Sequence, residues 1–166
     1  MRLTRADVNT DWPAVRQLLQ DAFAYMERRL GHPARAAQVS AGDLATEANT
    51  GTVFLIFDGT RPVACLFCRR SRDHPDALYL GKLAVAASHR GRGLARDLVE
   101  AATQTAEAQG FSALTLDTGT AFPELLSLFQ TLGFGPPAPR EGDPGVVTMM
   151  RPLASQEGGG TTGETA

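Results

Sequence analysis

At 166 residues, with 43% hydrophobic and 20% charged residues, the chain has the size and composition of one globular domain. Sixteen lysines and arginines against eighteen aspartates and glutamates leave a net charge of −2, which disfavours nonspecific binding to nucleic acid. The N-terminal residues lack the apolar segment of a secretory signal, and no run approaches the roughly 18 apolar residues of a membrane span. We therefore expect a soluble, cytoplasmic protein.

Hydrophobic periodicity and turn residues divide the chain into helices and strands. Asp11 as N-cap and Pro13 in the first turn mark the start of the first helix, and Ser40 or Asp43 caps the second. The predicted elements are, in chain order, a strand at 2–5, helices at 12–26 and 40–48, strands at 52–57, 63–69 and 77–85, a helix from 94 that ends at Gly110, a strand at 113–117, a helix at 123–132 and a strand at 146–150. The strand at 113–117 should be parallel to the strand at 77–85. These elements form one predicted domain, residues 1–154, and a disordered tail follows at 155–166.

Cys65 and Cys68 form a Cys-x-x-Cys pattern, which is found in redox and zinc sites. Here the pattern lies within an apolar strand, where residues three apart point to opposite faces and cannot readily form a disulfide. A zinc site also needs a second pair of ligands, and the chain offers no metal-ligand spacing. We therefore predict two buried free thiols and no metal site.

The segment Ser88–Arg96 joins the strand at 77–85 to the following helix and has the composition of an anion-binding loop. Gly91 and Gly93 allow a tight turn and a close approach of the backbone to a ligand. The helix that follows contributes unpaired N–H groups and the positive end of its dipole. A phosphate is the expected ligand.

Two phosphate-binding patterns compete for this loop. The dinucleotide-binding pattern Gly-x-Gly-x-x-Gly matches at Gly91 and Gly93 but fails at its third glycine, and its strand lies in mid-chain. Asp117 does follow at a distance suited to binding a ribose, so this interpretation stays open. The pattern Arg-x-x-Gly-x-Ala matches at every position, with Arg90, Gly93 and Ala95.

With Leu83, Ala84 and Val85 before it, the second pattern resembles the acetyl-CoA pyrophosphate loop of the GCN5-related N-acetyltransferases, the GNAT superfamily. The resemblance covers residues 52–134 and ends in Leu128–Phe134, which is similar to the family's second conserved block, Leu-Tyr-x-x-x-Gly-Phe. It implies an α/β (α+β) fold with a mixed, mostly antiparallel twisted sheet and helices on both faces. It also implies transfer of an acetyl group from acetyl-CoA to an amine of a small molecule or a protein.

The resemblance further implies where acetyl-CoA binds. In this family the parallel strands on either side of the crossover helix separate at their ends, and the thioester arm lies in the gap, paired with strand backbone. The pyrophosphate rests on amides of the loop. The implied cofactor-binding residues are Leu83, Ala84, Val85, Arg90, Gly91, Arg92, Gly93, Leu94, Ala95, Arg96 and Phe129.

The residues available for proton transfer depart from the family pattern. The family's usual general acid is a tyrosine in the second block, but this chain has Phe129 there, and a phenyl ring cannot protonate a thiolate. Tyr79 stands where some members carry a general-base glutamate, and Glu27 near the end of the first helix could face the acceptor. Tyr79 and Glu27 are therefore the candidate catalytic residues, and Asp117 is a candidate for contact with the acceptor.

Phe129 keeps more than one function open. The favoured interpretation is an acetyl-CoA-dependent N-acetyltransferase; the alternatives are a non-catalytic acyl-CoA-binding module and a dinucleotide-binding oxidoreductase that uses the same glycines. The acceptor is an amine of unspecified identity, and the basic residues after the first helix weakly favour one with a carboxylate or phosphate. We expect a monomer or homodimer, with no nucleic-acid or membrane partner.

Overall fold

The structure, a computed structural model, describes residues 1–154, so the predicted disordered tail at 155–166 lies outside the described residues. The strands are β1 (Arg2–Arg5), β2 (Thr52–Asp58), β3 (Arg61–Arg70), β4 (Ala77–Val85), β5 (Ala113–Gly119), β6 (Ala138–Pro139) and β7 (Val146–Pro152). The helices are α1 (Trp12–Leu30), α2 (Ala41–Asn49), α3 (Leu94–Ala108) and α4 (Pro123–Thr131), and short 3-10 turns occupy Arg35–Ala37 and Ala87–His89.

The strands form one sheet in the order β1-β2-β3-β4-β5-β7-β6. Among these described strands only β4 and β5, which the crossover helix α3 connects, are parallel neighbours; every other adjacent pair is antiparallel. The predicted mixed, mostly antiparallel sheet is confirmed. A dinucleotide-binding fold needs a doubly wound parallel sheet, which residues 1–154 do not form, so the oxidoreductase alternative is wrong.

Helices cover both faces of the sheet, as predicted. On one face the Trp12 ring of α1 packs against Phe67, with ring centroids 6.1 Å apart. On the opposite face Arg5 lies over the ring of Phe54 and donates a hydrogen bond to Thr105 Oγ1 of α3 at 3.0 Å. Buried apolar side chains of the sheet fill the space beneath the helices on each side.

The helix starts follow local capping signals. The Asp11 carboxylate accepts a hydrogen bond from the Ala14 N–H at 3.1 Å, and Ser40 Oγ accepts one from the Asp43 N–H at 3.0 Å. Ser40 is therefore the cap of α2, and Asp43 is the residue it caps. The first helix runs to Leu30, beyond the predicted segment.

The strand bounds agree with the sequence prediction at β1, whereas β3 and β5 are longer than predicted, with bounds Arg61–Arg70 and Ala113–Gly119. β4 has the predicted bounds, whereas β7 extends two residues further, to Pro152. The loop between β2 and β3 is shorter than the five-residue loop predicted. β6 was not predicted, because a strand of two residues, Ala138–Pro139, is too short to show a period.

Both cysteines are free and buried in β3, as predicted. Cys65 Sγ donates to Lys82 O at 3.4 Å, and burial raises the pKa of each thiol to about 12. Within residues 1–154, no group of three or more His, Cys, Asp or Glu side chains is placed to hold a metal ion. None of the helices in this part of the chain has the length and apolar character that crossing a membrane requires.

Candidate active site

The sheet opens between β4 and β5. These parallel strands pair only at their beginnings, where Ala77 lies beside Ala113 and Tyr79 beside Thr115. Beyond Tyr79, β4 continues beside β3, and β5 continues beside β7. A gap therefore lies between the carboxyl ends of the two strands, in the position that the family resemblance implied.

A β-bulge in β4 borders this gap. The strand holds one extra residue between Gly81 and Ala84, opposite β3. Lys82 in the bulge has a φ of 50°, the one positive φ of a non-glycine residue in the described part of the chain. Its Nζ lies 2.7 Å from Glu47 Oε2 of α2. The edge of β4 that faces the gap has no described strand beside it beyond Tyr79, so its backbone groups there, other than Val85 O, are available to a ligand.

The loop after β4 presents backbone amides at the start of α3. Gly91 and Gly93 have φ values of 78° and 80°, a conformation that side chains rarely adopt. A Cβ at either position would meet no atom within 4 Å beyond its chain neighbours, so the surface beside both is open. The first helical N–H bond runs from Asp97 to Gly93 O at 3.0 Å. The N–H groups of residues 94–96 are therefore available to an anion.

The three arginines of the loop have different surroundings. Arg90 donates from Nε to Val85 O at 3.2 Å and from Nη2 to Ala22 O at 3.0 Å, so its guanidinium ties the loop to α1. Arg96 lines the cavity beside the loop, whereas Arg92 does not. The family resemblance implied that the Arg90 guanidinium binds a phosphate, whereas its Nε and Nη2 here bind backbone carbonyls and hold the loop in place. Direct contact of Arg90 or Arg92 with a cofactor stays a prediction.

His89 joins the same loop to the hairpin between β2 and β3. Its Nε2 lies 2.8 Å from Asp58 Oδ2, and its Nδ1 lies 2.7 Å from Ser88 Oγ. The hydrogen bond to His89 is the main cause that holds the pKa of Asp58 below its usual range. The sequence carries no local signal for this pair, because its members are 31 residues apart.

A cavity of about 580 Å³ runs from the loop into the gap between β4 and β5. Its walls are the middle of α1, the end of β4, the start of α3 and one face of α4. Of the residues predicted to bind the cofactor, all but Arg92 line it. Tyr25 also lines it, with its ring 5.3 Å from the Arg90 guanidinium and edge-on to Phe122. We call this space the loop-side cavity.

A second cavity, of about 490 Å³, adjoins the first. We call it the acceptor-side cavity; its walls are the α1–α2 loop, the middle of β4, the end of β5 and the segment before β7. The two cavities share five lining side chains, all apolar, which form the junction: Phe23, Met26, Leu83, Leu125 and Phe129. Two ligands that enter from opposite sides would meet at this junction.

Phe129 is the residue of α4 at the junction that stands in the family's tyrosine position. It is 7% exposed, and its ring packs edge to face with Phe134, with centroids 6.1 Å apart. No hydroxyl is present among the five junction side chains. None of these five side chains can therefore donate a proton at the junction.

Tyr79 lines the acceptor-side cavity, and its ring leans along β4 over Gly81. A Cβ on Gly81 would lie 3.0 Å from Tyr79 Cε1, so the ring needs the space that this glycine leaves. Arg69, its cross-strand partner, places its guanidinium 4.3 Å from the ring centroid. Burial first, and the charge of Asp117 second, raise the pKa of Tyr79 above the ordinary 10.0, against the lowering effect of Arg69 and Arg140. The hydroxyl therefore keeps its proton at neutral pH.

Asp117 belongs to a polar network beside Tyr79. It accepts a hydrogen bond from Thr148 Oγ1 at 2.6 Å and forms an ion pair with Arg140, which also lies 3.4 Å from Asp73. Its side chain is 17% exposed. Sequence analysis identified Asp117 but missed Arg140, because the two are 23 residues apart and share no local pattern. With both carboxylate oxygens engaged, Asp117 helps to shape the cavity wall.

Glu27, the other candidate catalytic residue, lies in α1 and is half-buried. It lines neither the loop-side nor the acceptor-side cavity, whereas its neighbours Phe23 and Met26 line both. The structure thus does not bring Glu27 together with Tyr79 at one cavity. A catalytic role for Glu27 stays a prediction.

Curated N-acetyltransferases are similar to parts of this chain. N-acetyltransferase 8 of Homo sapiens is 42% identical over 57 residues, which are 34% of this chain and 25% of that protein. N-alpha-acetyltransferase 30 of Saccharomyces cerevisiae is 31% identical over 75 residues, 44% of this chain and 43% of that protein. The matched segments therefore cover 25% and 43% of the length of these two relatives, less than half in each case.

Solved structures share the fold over nearly the whole chain. The ribosomal-protein-S18-alanine N-acetyltransferase of Escherichia coli superposes with a TM-score of 0.69, at 22% identity, over 99% of both chains. The PaiA N-acetyltransferase of Thermoplasma acidophilum, in complex with coenzyme A, gives a TM-score of 0.74 at 11% identity, over 92% of this chain and 100% of that one. The family model of the acetyltransferase (GNAT) family matches residues 12–134, from the start of α1 to just past α4. The chain therefore belongs to the acetyltransferase (GNAT) family, as the loop and the second block indicated.

Proposed function

We propose that the protein transfers the acetyl group of acetyl-CoA to the primary amine of an acceptor. The observation that carries the proposal is the meeting of two cavities at an apolar junction, one bordered by the anion-binding loop and the other by polar side chains. Membership of the GNAT family supports acetyl-CoA as the donor, and the names of the relatives support an amine as the acceptor. A monomeric or homodimeric state and a cytoplasmic location stay predictions from the sequence.

The residues around the loop-side cavity fit acetyl-CoA. Open space beside Gly91 and Gly93 admits a diphosphate to the free amides at the start of α3, where the helix dipole favours negative charge. The edge of β4 that faces the gap can pair with the amides of the pantetheine arm as an added strand would. In this proposal, backbone groups of Leu83, Ala84 and Val85 hold the arm, and residues 91–96 hold the pyrophosphate.

The reaction needs few catalytic side chains. Acetyl-CoA supplies an activated acetyl group: the amine nitrogen bonds to the carbonyl carbon, the carbon–sulfur bond breaks, the amine loses a proton and the thiolate gains one. The junction side chains exclude water and hold the two reactants together, and such positioning can remove several kcal/mol of the barrier. The amine must arrive without its proton, which the apolar junction favours because burial disfavours a charged ammonium group.

We assign the protonation of the thiolate to Tyr79. Its ring lies over Gly81, on the strand that leads to Leu83 of the junction, and its raised pKa keeps the hydroxyl protonated at neutral pH. This role differs from the general base that the strand position suggested, because a phenol that holds its proton is an acid. Glu27 is less well supported, since it lines neither cavity.

One observation favours a second candidate function. Phe129 at the junction removes the hydroxyl that relatives use, so the chain could bind acyl-CoA without transferring the acyl group. Turnover distinguishes the two functions. We expect that acetyl-CoA together with a panel of primary amines releases CoA thiol, with acetylated amine found by mass spectrometry. Stabilisation by acetyl-CoA without any amine-dependent thiol release would favour the binding module.

The substitution Phe129→Tyr tests whether the proton donor has moved away from α4. We expect no gain in the rate of acetyl transfer and a loss of about 1–3 kcal/mol in the free energy of unfolding, because a buried hydroxyl gains no partner. The measurements are the turnover number and denaturant unfolding. Phe134→Tyr is the matched control for the cost of a hydroxyl, because Phe134 is the other ring of the same pair but lies outside both cavities. A faster Phe129→Tyr enzyme would show that the site lacks a donor and would contradict the assignment of Tyr79.

A further inference from the structure

A small polar cavity continues the acceptor-side cavity away from the junction. Its volume is about 110 Å³, and the two spaces share four lining side chains, Arg69, Tyr79, Asp117 and Arg140. The remaining wall comes largely from the turn between β3 and β4, including Arg72 and Asp73. We call this space the outer pocket. A ligand that fills the acceptor-side cavity can extend into it.

The outer pocket has an excess of positive charge. Three arginines against two aspartates line it, which leaves one positive charge when His74 is neutral. Arg140 is paired with both aspartates, whereas Arg69 and Arg72 form no ion pair within residues 1–154. One anionic group would therefore make the pocket neutral and give these two arginines a partner.

Arg69 is held in a fixed orientation at this pocket. Its guanidinium stacks on the Tyr79 ring at 4.3 Å from the centroid, and its Nη1 donates to Arg70 O at 3.2 Å. A guanidinium stacked on an aromatic ring is planar and pre-oriented, and its remaining N–H groups match the geometry of a carboxylate or a phosphate. Arg69 is half-buried, which reduces the screening of such a contact by water.

On the basis of the proposed transfer function, we propose that the acceptor carries an anionic group, a carboxylate or a phosphate, which binds in the outer pocket against Arg69 and Arg72. The class of acceptor is thus an amine with an acid group at its far end. The pocket volume suits a group of that size rather than a large ring. Lys82 does not compete for this role, because its ammonium group is paired with Glu47.

The position of the pocket sets the distance between amine and anion. Arg69 pairs with Tyr79, which lies four residues before Leu83 of the junction. A regular strand of that length spans about 13 Å between Cα atoms, and the bulge in β4 makes the distance somewhat shorter. The lean of the Tyr79 ring towards Gly81 shortens the path. An extended peptide of about three residues covers roughly 10 Å, whereas a free α-amino acid carries both groups on one carbon and is too short.

The test compares charged and capped acceptors of one length. The probes are triglycine with triglycinamide, glycine with glycinamide, and a straight-chain aminoalkyl phosphate of the length of triglycine with the corresponding alcohol. We expect kcat/KM to favour triglycine over its amide by about tenfold, as one charge-assisted contact supplies, and not to favour glycine over glycinamide. A preference in the phosphate pair that exceeds the triglycine preference would identify a phosphate as the preferred group.

Two variants connect the preference to the pocket. In the double variant Arg69→Gln, Arg72→Gln the ratio between triglycine and triglycinamide should fall to about one. Arg70→Gln is the matched control, because Arg70 is next in the chain but lies on the other face of the sheet, over Phe111, and should keep the ratio. Using a ratio removes any effect of Arg69 on Tyr79 that is common to both acceptors.

Calorimetric binding of the same probes to the protein with CoA separates the two proposals. If no amine is acetylated, the proposed transfer function is wrong. The ratio of the dissociation constants of triglycine and triglycinamide then tests by itself whether the outer pocket binds an anion. Tighter binding of triglycine that is lost in the double variant would support the anion site in either case. Equal affinity and equal kcat/KM for charged and capped acceptors would overturn it.

Discussion

Replacing Gly93 with valine is expected to abolish the stabilisation of the protein by acetyl-CoA. In the parent, acetyl-CoA at about 100 times its dissociation constant should add roughly 2.7 kcal/mol to the free energy of unfolding. Gly93 has a φ of 80° and caps α3, so a branched side chain there would strain the loop and stand in front of the amides of residues 94–96. The melting temperature with and without acetyl-CoA, together with calorimetric titration, measures the loss.

Gly110→Val is the control for backbone strain at Gly93. Gly110 has a φ of 83°, has open space beside it and lies after the other end of α3, outside the loop-side cavity. Both variants should lose about 1–2 kcal/mol in the absence of ligand, the cost of a left-handed conformation for an L-residue. The Gly110 variant should keep the full response to acetyl-CoA. If the Gly93 variant also kept it, the assignment of the loop to the pyrophosphate would be wrong.

Much of the fold could be predicted because its signals are local. Asp11 and Ser40 cap helices through bonds to N–H groups three residues away, and such bonds depend only on neighbouring residues. β4 is apolar and followed by a glycine-rich loop, so its bounds are clear in the sequence. The loop itself could be identified because its function depends on glycines and backbone amides at fixed spacing.

The walls of the site could not be predicted, because they arise from contacts between distant segments. Arg90 belongs to the loop pattern, yet its guanidinium bonds to Ala22 O, 68 residues away, which no periodicity reveals. Arg140 meets Asp117 only because β7 pairs with β5 and brings the loop before β7 to the same place. In the sequence Gly81 is an ordinary strand glycine, and only the structure shows that the Tyr79 ring occupies the space where a side chain would be. Tertiary packing, rather than propensity, determines these positions.

Tyr79→Phe is expected to lower the turnover number by roughly a hundredfold, the contribution of one general acid, with little change in the affinity for acetyl-CoA. The substitution removes only the hydroxyl, so stacking of Arg69 on the ring and contact with Gly81 should persist. Tyr25→Phe is the matched control. Tyr25 is the other tyrosine of the chain, and it lines the loop-side cavity but not the acceptor-side cavity. Loss of the Tyr25 hydroxyl should therefore change the turnover number far less.

The pH dependence of the parent gives a second test of the role of Tyr79. Burial raises the pKa of this phenol above 10.0, so its acid form persists below that value and is lost only when the pH rises through the raised pKa. Between about pH 7 and 9 the rate should therefore rise, because more of the amine acceptor becomes neutral, and should not fall through loss of the Tyr79 proton. The Tyr79→Phe variant should keep this rising limb at a lower rate. An unchanged turnover number in that variant would assign Tyr79 to packing, and a falling limb in the parent centred near neutral pH would require a different proton donor.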